Sequence, residues 1–357
     1  MEFMMAMTTQ TGSLRPTGPF HLAENQGLSR YFVPLRAYLR LKAEFLLGNL
    51  THREPGERPL LRPLSGLGIT QTTRSAKLLS AALPFFGVCS AFAGDAEVAP
   101  SLADRIAEAP TAQAAFEIAD RQNWDEVFYD PCTGDWTERW FLDGEIAAVR
   151  VDQTGMELAA GPQFGNHAHH AVLWTKDSFA GDLKISYDYT RTDFETSAVN
   201  ILYVQATGSG DGPHAEDIHE WRELRKVPSM SQYFNNMNLY HISYAAFPNT
   251  DEETTDYVRA RRYLPEKGGL QGTEIQPDYS NTGLFAPGVK HRMTVFKIGD
   301  HLLLRAETSE QTEYFHWHNT EYPPIEAGRI GLRHMFTRSA VYRDFRVSVL
   351  DQKGIVR

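Results

Sequence analysis

Cysteine is nearly absent: the 357 residues include two, Cys89 and Cys132. That excludes a disulfide framework and a cysteine-rich zinc site. Long hydrophobic runs are missing too, and none reaches the roughly 18 apolar residues that a membrane-spanning helix needs. Positive charge is in deficit, with 35 Lys+Arg against 45 Asp+Glu and a formal net charge of −10. This balance argues against generic binding to nucleic acid or to an anionic membrane. Neither a Gly-x-Ser-x-Gly elbow nor a phosphate-binding glycine loop occurs, so the sequence points to no serine triad and no nucleotide site. What is there, 42% hydrophobic, 22% charged and 11% aromatic, is globular composition and excludes wholesale disorder, collagen and coiled coil.

The most informative local signal is internal. Arg74 and Lys77 precede a mostly apolar stretch, Leu78 to Phe92, which closes in Ala91-Phe92-Ala93. A basic flank, a short apolar core and small residues before the scissile bond describe a secretory signal peptide over 74–93. Cleavage is expected after Ala93, giving a periplasmic or secreted protein. A buried helix is the competing assignment, and Pro84 in its middle argues against it. Residues 1–73 precede this signal, with no Met between Met7 and Met156. They read either as an over-long start or as a genuine Pro- and Arg-rich extension, with a short amphipathic helix over Tyr31–Leu50. Cleavage would remove Cys89 and leave Cys132 without an intramolecular partner.

Residues 94–123 read as a linker and a lead-in helix, Thr111–Asp120. From Trp124 to about residue 351 the texture is β: short runs rich in Val, Ile, Tyr, Phe and Thr, punctuated by Gly, Asp and Asn. Candidate strands run from Val127–Tyr129 through Ala168–Trp174, Ala198–Ala206 and Leu239–Ala246 to Val341–Leu350. The clearest hairpin turns at Gly299-Asp300, where glycine supplies positive φ. Many strands with few helices mean a sandwich or barrel. One helix is expected over His214–Arg225, with Ile218, Trp221 and Leu224 on one face. It lies in a long insertion, Gly208 to Pro287, of the kind that often builds a site.

Several blocks carry a family resemblance. Trp140-Phe141-Leu142-Asp143-Gly144, His170-Ala171-Val172-Leu173-Trp174, Tyr203-Val204-Gln205-Ala206-Thr207-Gly208 and Tyr240-His241-Ile242-Ser243-Tyr244 occur in order, followed by Arg259-Ala260-Arg261-Arg262-Tyr263 and Gly328-Arg329-Ile330-Gly331-Leu332-Arg333-His334-Met335. Over residues 124–351 the chain resembles the YesU-like family. The resemblance implies an all-β, concanavalin-A-like jelly-roll β-sandwich of two antiparallel sheets, here with a long insertion carrying a short helix. It also implies a role in bacterial breakdown of acidic polysaccharides such as rhamnogalacturonan. It transfers no catalytic residue, so the site is argued from chemistry.

β-Elimination on a uronate needs the carboxylate neutralised, a base for the C5 proton and an acid for the leaving oxygen. Arg, Asn, Gln or His suits the first task, and His, Tyr or Lys the other two. Arg261 and Arg262 are expected to clamp the carboxylate, against the alternative that arginines here pair with Asp251, Glu252, Glu253 and Asp256. His241 or His334 is the expected base and Tyr240 or Tyr244 the acid. Period-two alternation places Tyr240, Ile242 and Tyr244 on one face of a strand and His241 with Ser243 on the other. Arg333, Asn200, Tyr203 and Gln205 are expected to line the binding sheet, and Trp221 and Tyr203 to stack on sugar rings. The reading is a secreted polysaccharide or oligosaccharide lyase, with a carbohydrate-binding protein or a carboxylate-pair hydrolase as alternatives. For the hydrolase, Asp188, Asp193 and Glu195, or Glu216, Asp217 and Glu220, would supply the acids. No cofactor is expected beyond a structural calcium ion held by such acids. The histidine pairs His167/His169 and His316/His318 have chelating spacing on a strand, but nothing in the sequence brings the pairs together.

Overall fold

A computed structural model describes residues 99–248 and 255–350. The expected signal peptide, the Tyr31–Leu50 helix, Cys89 and Asp251–Glu253 lie outside the described residues. Two antiparallel sheets face each other as a jelly-roll sandwich. One has seven strands in the order β10 (Glu274–Ser280), β9 (Tyr257–Tyr263), β8 (Met237–Phe247), β7 (Ala198–Gly208), β14 (Ala327–His334), β5 (Ala171–Ala180) and β2 (Trp140–Asp143). The other runs β13 (Thr312–His318), β12 (His301–Glu307), β11 (Lys290–Ile298), β6 (Leu183–Arg191), β15 (Ser339–Leu350), β4 (Gly155–Ala159) and β3 (Ala148–Asp152). Its eighth strand, β1 (Trp124–Asp130), pairs with the second half of β15 beyond a bulge at Arg343/Arg346, where Asp344 has φ 50°. The bulge lets one long strand serve β4 and β1 along the same edge.

Alternation decides what fills the gap between the sheets. Leu202, Val204, Ile242, Leu332, Tyr187, Tyr189, Tyr342 and Phe345 point inward and form the main core. Such burial is worth on the order of 25 cal/mol per Å² of apolar surface. β7 is buried at nearly every position, because its second face is covered too. The cover is the connection 209–236, which lays Ile218, Trp221 and Tyr233 over Trp174, Tyr203 and Leu239. The other sheet is also partly covered: α1 (Leu102–Ala107) and α2 (Ala112–Asp120) set Ile106 and Phe116 against Phe296 and Leu303. The Phe116 and Phe296 rings meet edge-on at 4.9 Å. None of the helices among the described residues is long and apolar enough to cross a membrane.

Three expectations need correction. The segment 208–287 is not one insertion, since it supplies β8, β9 and β10 of the seven-stranded sheet. The helix expected over His214–Arg225 is absent. In its place stand a 3₁₀ turn, Arg222–Arg225, and further on a short helix, α3 (Met230–Phe234). Local polar bonds defeat the apolar spacing: Asp217 Oδ1 accepts the His219 N–H at 2.9 Å, and the Trp221 indole donates to Ala215 O. Leu224 faces solvent and Arg225 is the buried member. Finally, His167 and His169 sit in a 3₁₀ turn, and the strand begins only at Ala171.

Candidate active site on the outer face of the seven-stranded sheet

Strand register draws a row across the outer face of this sheet. Phe141 lies beside Trp174, Trp174 beside Gly331, Gly331 beside Tyr203, Tyr203 beside His241, His241 beside Arg261, and Arg261 beside Glu274. Gly331 is required at its place, because a Cβ there would meet the Trp174 ring at 2.5 Å. The parallel row runs Asp143, Val172, Arg333, Ile201, Ser243 and Arg259. Trp174, Tyr203 and Tyr233 stack on this face with centroids 5.4 and 5.9 Å apart.

His241 is the centre of the polar part. Its Nδ1 lies 2.6 Å from the Tyr263 hydroxyl and its Nε2 2.6 Å from Ser243 Oγ. Burial, reinforced by Arg261, Arg333 and Arg259, pushes its pKa well below the usual imidazole value. The ring is therefore neutral, donating through one nitrogen and accepting through the other. Burial raises the Tyr263 phenol well above its ordinary value, so it keeps its proton. At one end of the face, Arg333 Nη2 donates to Pro228 O and to His170 Nδ1, both at 2.7 Å. Burial and that guanidinium hold His170 neutral, its pKa pushed down to about 2. Asp143 Oδ2 accepts from Arg225 Nε at 2.6 Å, Trp174 Nε1 at 2.8 Å and Tyr233 OH at 3.0 Å.

The guanidinium groups here are not saturated. Arg225 Nη1 and Nη2 and Arg333 Nε and Nη1 are buried without a hydrogen-bond acceptor of good geometry. Each buried polar group left in that state costs about 1–3 kcal/mol, which an acceptor reaching this face would recover. Its accessible margin is Arg261 and Arg259, whose side chains are 13% and 29% exposed and pair with Glu274 and Asp278. Asp143, Glu274 and Asp278 are thus each bound to an arginine, and among the described residues this face offers no free pair of opposed carboxylates.

The structure separates the expected site residues. His241, Tyr203, Arg261, Arg333 and Trp221 belong to the outer face or its cover. Tyr240, Tyr244, His334 and Asn200 point into the gap between the sheets, so they cannot share a site with His241. His334 Nε2 lies 2.7 Å from Tyr342 OH, Tyr244 OH 3.3 Å from the same hydroxyl, and Asn200 Nδ2 donates to Tyr189 OH. Arg262 also turns inward: its Nε donates to Pro323 O and its guanidinium lies over the Tyr240 ring. Gln205, at a bulge with φ 52°, spends its amide on the carbonyls of Phe179, Gly181 and Glu326. Trp221 is covered by Arg225, 4.3 Å from its ring, and offers no open stacking surface. Of the acids considered for hydrolysis or calcium, Asp188 pairs with Lys290 and Arg292, Asp193 with Arg191 and Arg338, and Asp217 with Arg329, while Glu216 and Glu220 are exposed.

Tyr263, Ser243, Asp143 and Arg225 are the members that sequence reasoning did not assign. Ser243 was signalled by sharing a strand face with His241; Tyr263 closes the arginine-rich block but carries no spacing signal. A separate groove of about 510 Å³ is lined by Arg191, Phe247, Asp256, Asn281, Phe285 and the 84%-exposed Phe194.

Residues 132–347 match a family described as a domain of unknown function, DUF1961. The match spans more than half of the chain, and the chain belongs to that family. No curated protein matches the sequence. Among solved structures, a Bacillus subtilis protein of unknown function with a galectin-like fold is similar over 64% of this chain and 99% of its own, with 18% identity and a TM-score of 0.49. Basic winged bean lectin, solved with Tn-antigen, is similar over 63% of this chain and 98% of its own, with 7% identity and a TM-score of 0.40.

Proposed function

We propose that this DUF1961 member binds an acidic saccharide at the outer face of its seven-stranded sheet and cleaves it there by β-elimination. The observation that carries the reading is the neutral His241, set between Tyr263 and Ser243 and flanked by Arg261, Arg259 and Arg333. A neutral imidazole is competent to take the C5 proton of a uronate. The electron pair left behind forms the C4=C5 double bond as the C4–O bond breaks. A protonated phenol, Tyr263 or Tyr203, supplies the leaving oxygen with its proton. Guanidinium groups hold the carboxylate and stabilise the charge that develops on it. The resemblance to YesU-like proteins supports an acidic polysaccharide as the substrate class. The guest enters from the Arg259 and Arg261 margin, the partly exposed edge of the face.

One observation favours a second reading, saccharide binding without turnover: His241 is 3% exposed and both its ring nitrogens are engaged. The two readings part in one assay. The full chain is incubated with a panel of uronate-containing polysaccharides and oligosaccharides, following ultraviolet absorbance and reducing ends together. Elimination gives both, and His241→Gln lowers the rate by about 10²–10⁴. Reducing ends without absorbance mean hydrolysis. Heat of binding with neither signal means a binding protein and retires the acid–base roles.

A further inference from the structure

A second set of side chains, remote in sequence from His241, meets on the outer face of the other sheet. The β11–β12 turn places Asp300 beside His301, and the register puts His301 opposite His318 and Leu303 opposite His316. Alternation sends Leu302, Leu304, Phe315 and Trp317 into the core, so the three histidines stand together on the outside. His318 Nε2 lies 3.1 Å and His301 Nε2 3.7 Å from Asp300 carboxylate oxygens. The His301 and His318 rings stack with centroids 4.0 Å apart. One ligand atom from each of Asp300, His301 and His318 falls within 4.8 Å of the others.

The remaining contact is of the kind that orients a metal ligand. His301 Nδ1 lies 3.0 Å from His316 Nε2, which fixes the ring and leaves its Nε2 toward Asp300 and His318. His301 itself is buried, while His318 and Asp300 reach solvent. An ion here would have three protein ligands and an approach from water. The turn is held independently by Gly299, whose N–H donates to Asp182 Oδ1 at 2.7 Å and whose φ is 54°. Two imidazoles and a carboxylate are borderline donors that suit first-row divalent ions far better than calcium.

We propose that Asp300, His301 and His318 form a binding site for one divalent first-row transition-metal ion, with His316 positioning His301. The ion would tie the β11–β12 turn to β13. The test uses the full chain, stripped with chelator, and zinc alone as the probe in calorimetry, with cobalt(II) absorption as a second readout. The expected result is one equivalent of zinc, a rise in thermal midpoint with zinc concentration, and a ligand-field spectrum with cobalt. His318→Ala and Asp300→Ala, at solvent-reaching positions, should each weaken zinc at least about tenfold, and His316→Gln roughly 10–100-fold. His167→Ala should change nothing. Absence of zinc binding overturns the proposal. So does binding that His318→Ala and Asp300→Ala leave intact, since the ion would then sit on other histidines.

Discussion

Between the two sheets, the polar groups of the seven-stranded sheet are mainly phenols, with an amide and an imidazole. They reach across to tyrosines of the facing sheet: His334 to Tyr342, Asn200 to Tyr189, Tyr244 to Tyr342. On the opposite side of the same strands stand Arg225, Arg333, Arg261 and His241, and guanidinium N–H groups are left over. The two faces are almost equally dry and both leave buried polar atoms unpaired, but the atoms differ: neutral ones on the inner face, Tyr187 OH, Asn200 Oδ1 and His334 Nδ1, and guanidinium N–H groups of Arg225 and Arg333 on the outer. Neither burial nor an unpaired atom by itself therefore sets the outer face apart from the inner one; the charge of its unspent donors does.

Three measurements sharpen that contrast, taken from the largest expected effect to the smallest. Asp143→Ala removes the carboxylate paired with Arg225, a pair in which both side chains are fully buried. The lone guanidinium should lower unfolding free energy by about 3–5 kcal/mol in denaturant titration; a loss under about 1 kcal/mol would show that the pair does not organise the outer face. Acid should destabilise the protein next. His170 and His334 are pushed to about 2 and about 3 by burial, and His241 well below its usual value. Their folded pKa values are depressed, so the unfolded chain binds more protons below about pH 6.5. The stability they contribute is complete above that pH and declines as pH falls, by up to ~1.4 kcal/mol per pH unit for each group. Denaturant midpoints that stay level between about pH 7.5 and 5.5 would contradict the neutral assignment. The smallest effect belongs to Tyr244→Phe. Loss of its long hydroxyl contact should cost about 0.5–1.5 kcal/mol and leave saccharide affinity untouched.

The sequence made the β architecture readable because alternation is local: each strand states its own two faces. It separates Tyr240, Ile242 and Tyr244 from His241 and Ser243 without saying which set meets the core. That choice depends on partners distant in the chain, such as Tyr342 and Tyr189. Spacing of three misled at Ile218, Trp221 and Leu224, where side-chain bonds to backbone replaced the helix. Ion pairs such as Asp143 with Arg225, 82 residues apart, leave no periodic trace at all. The same holds for the meeting of His301 with His316 and His318: only the last two have a spacing that could be noticed.

Arg261 and Arg262 are neighbours in sequence and lie on opposite faces, so they test the account most directly. Calorimetry with a uronate oligosaccharide would compare the parent protein, Arg261→Ala and Arg262→Ala. If the outer face takes the acidic saccharide, Arg261→Ala weakens binding about tenfold or more, the loss of a charged hydrogen bond. Arg262→Ala then lowers stability with affinity unchanged. Equal affinity in parent and Arg261→Ala, or a loss confined to folded Arg262→Ala, would place the saccharide elsewhere and contradict the account.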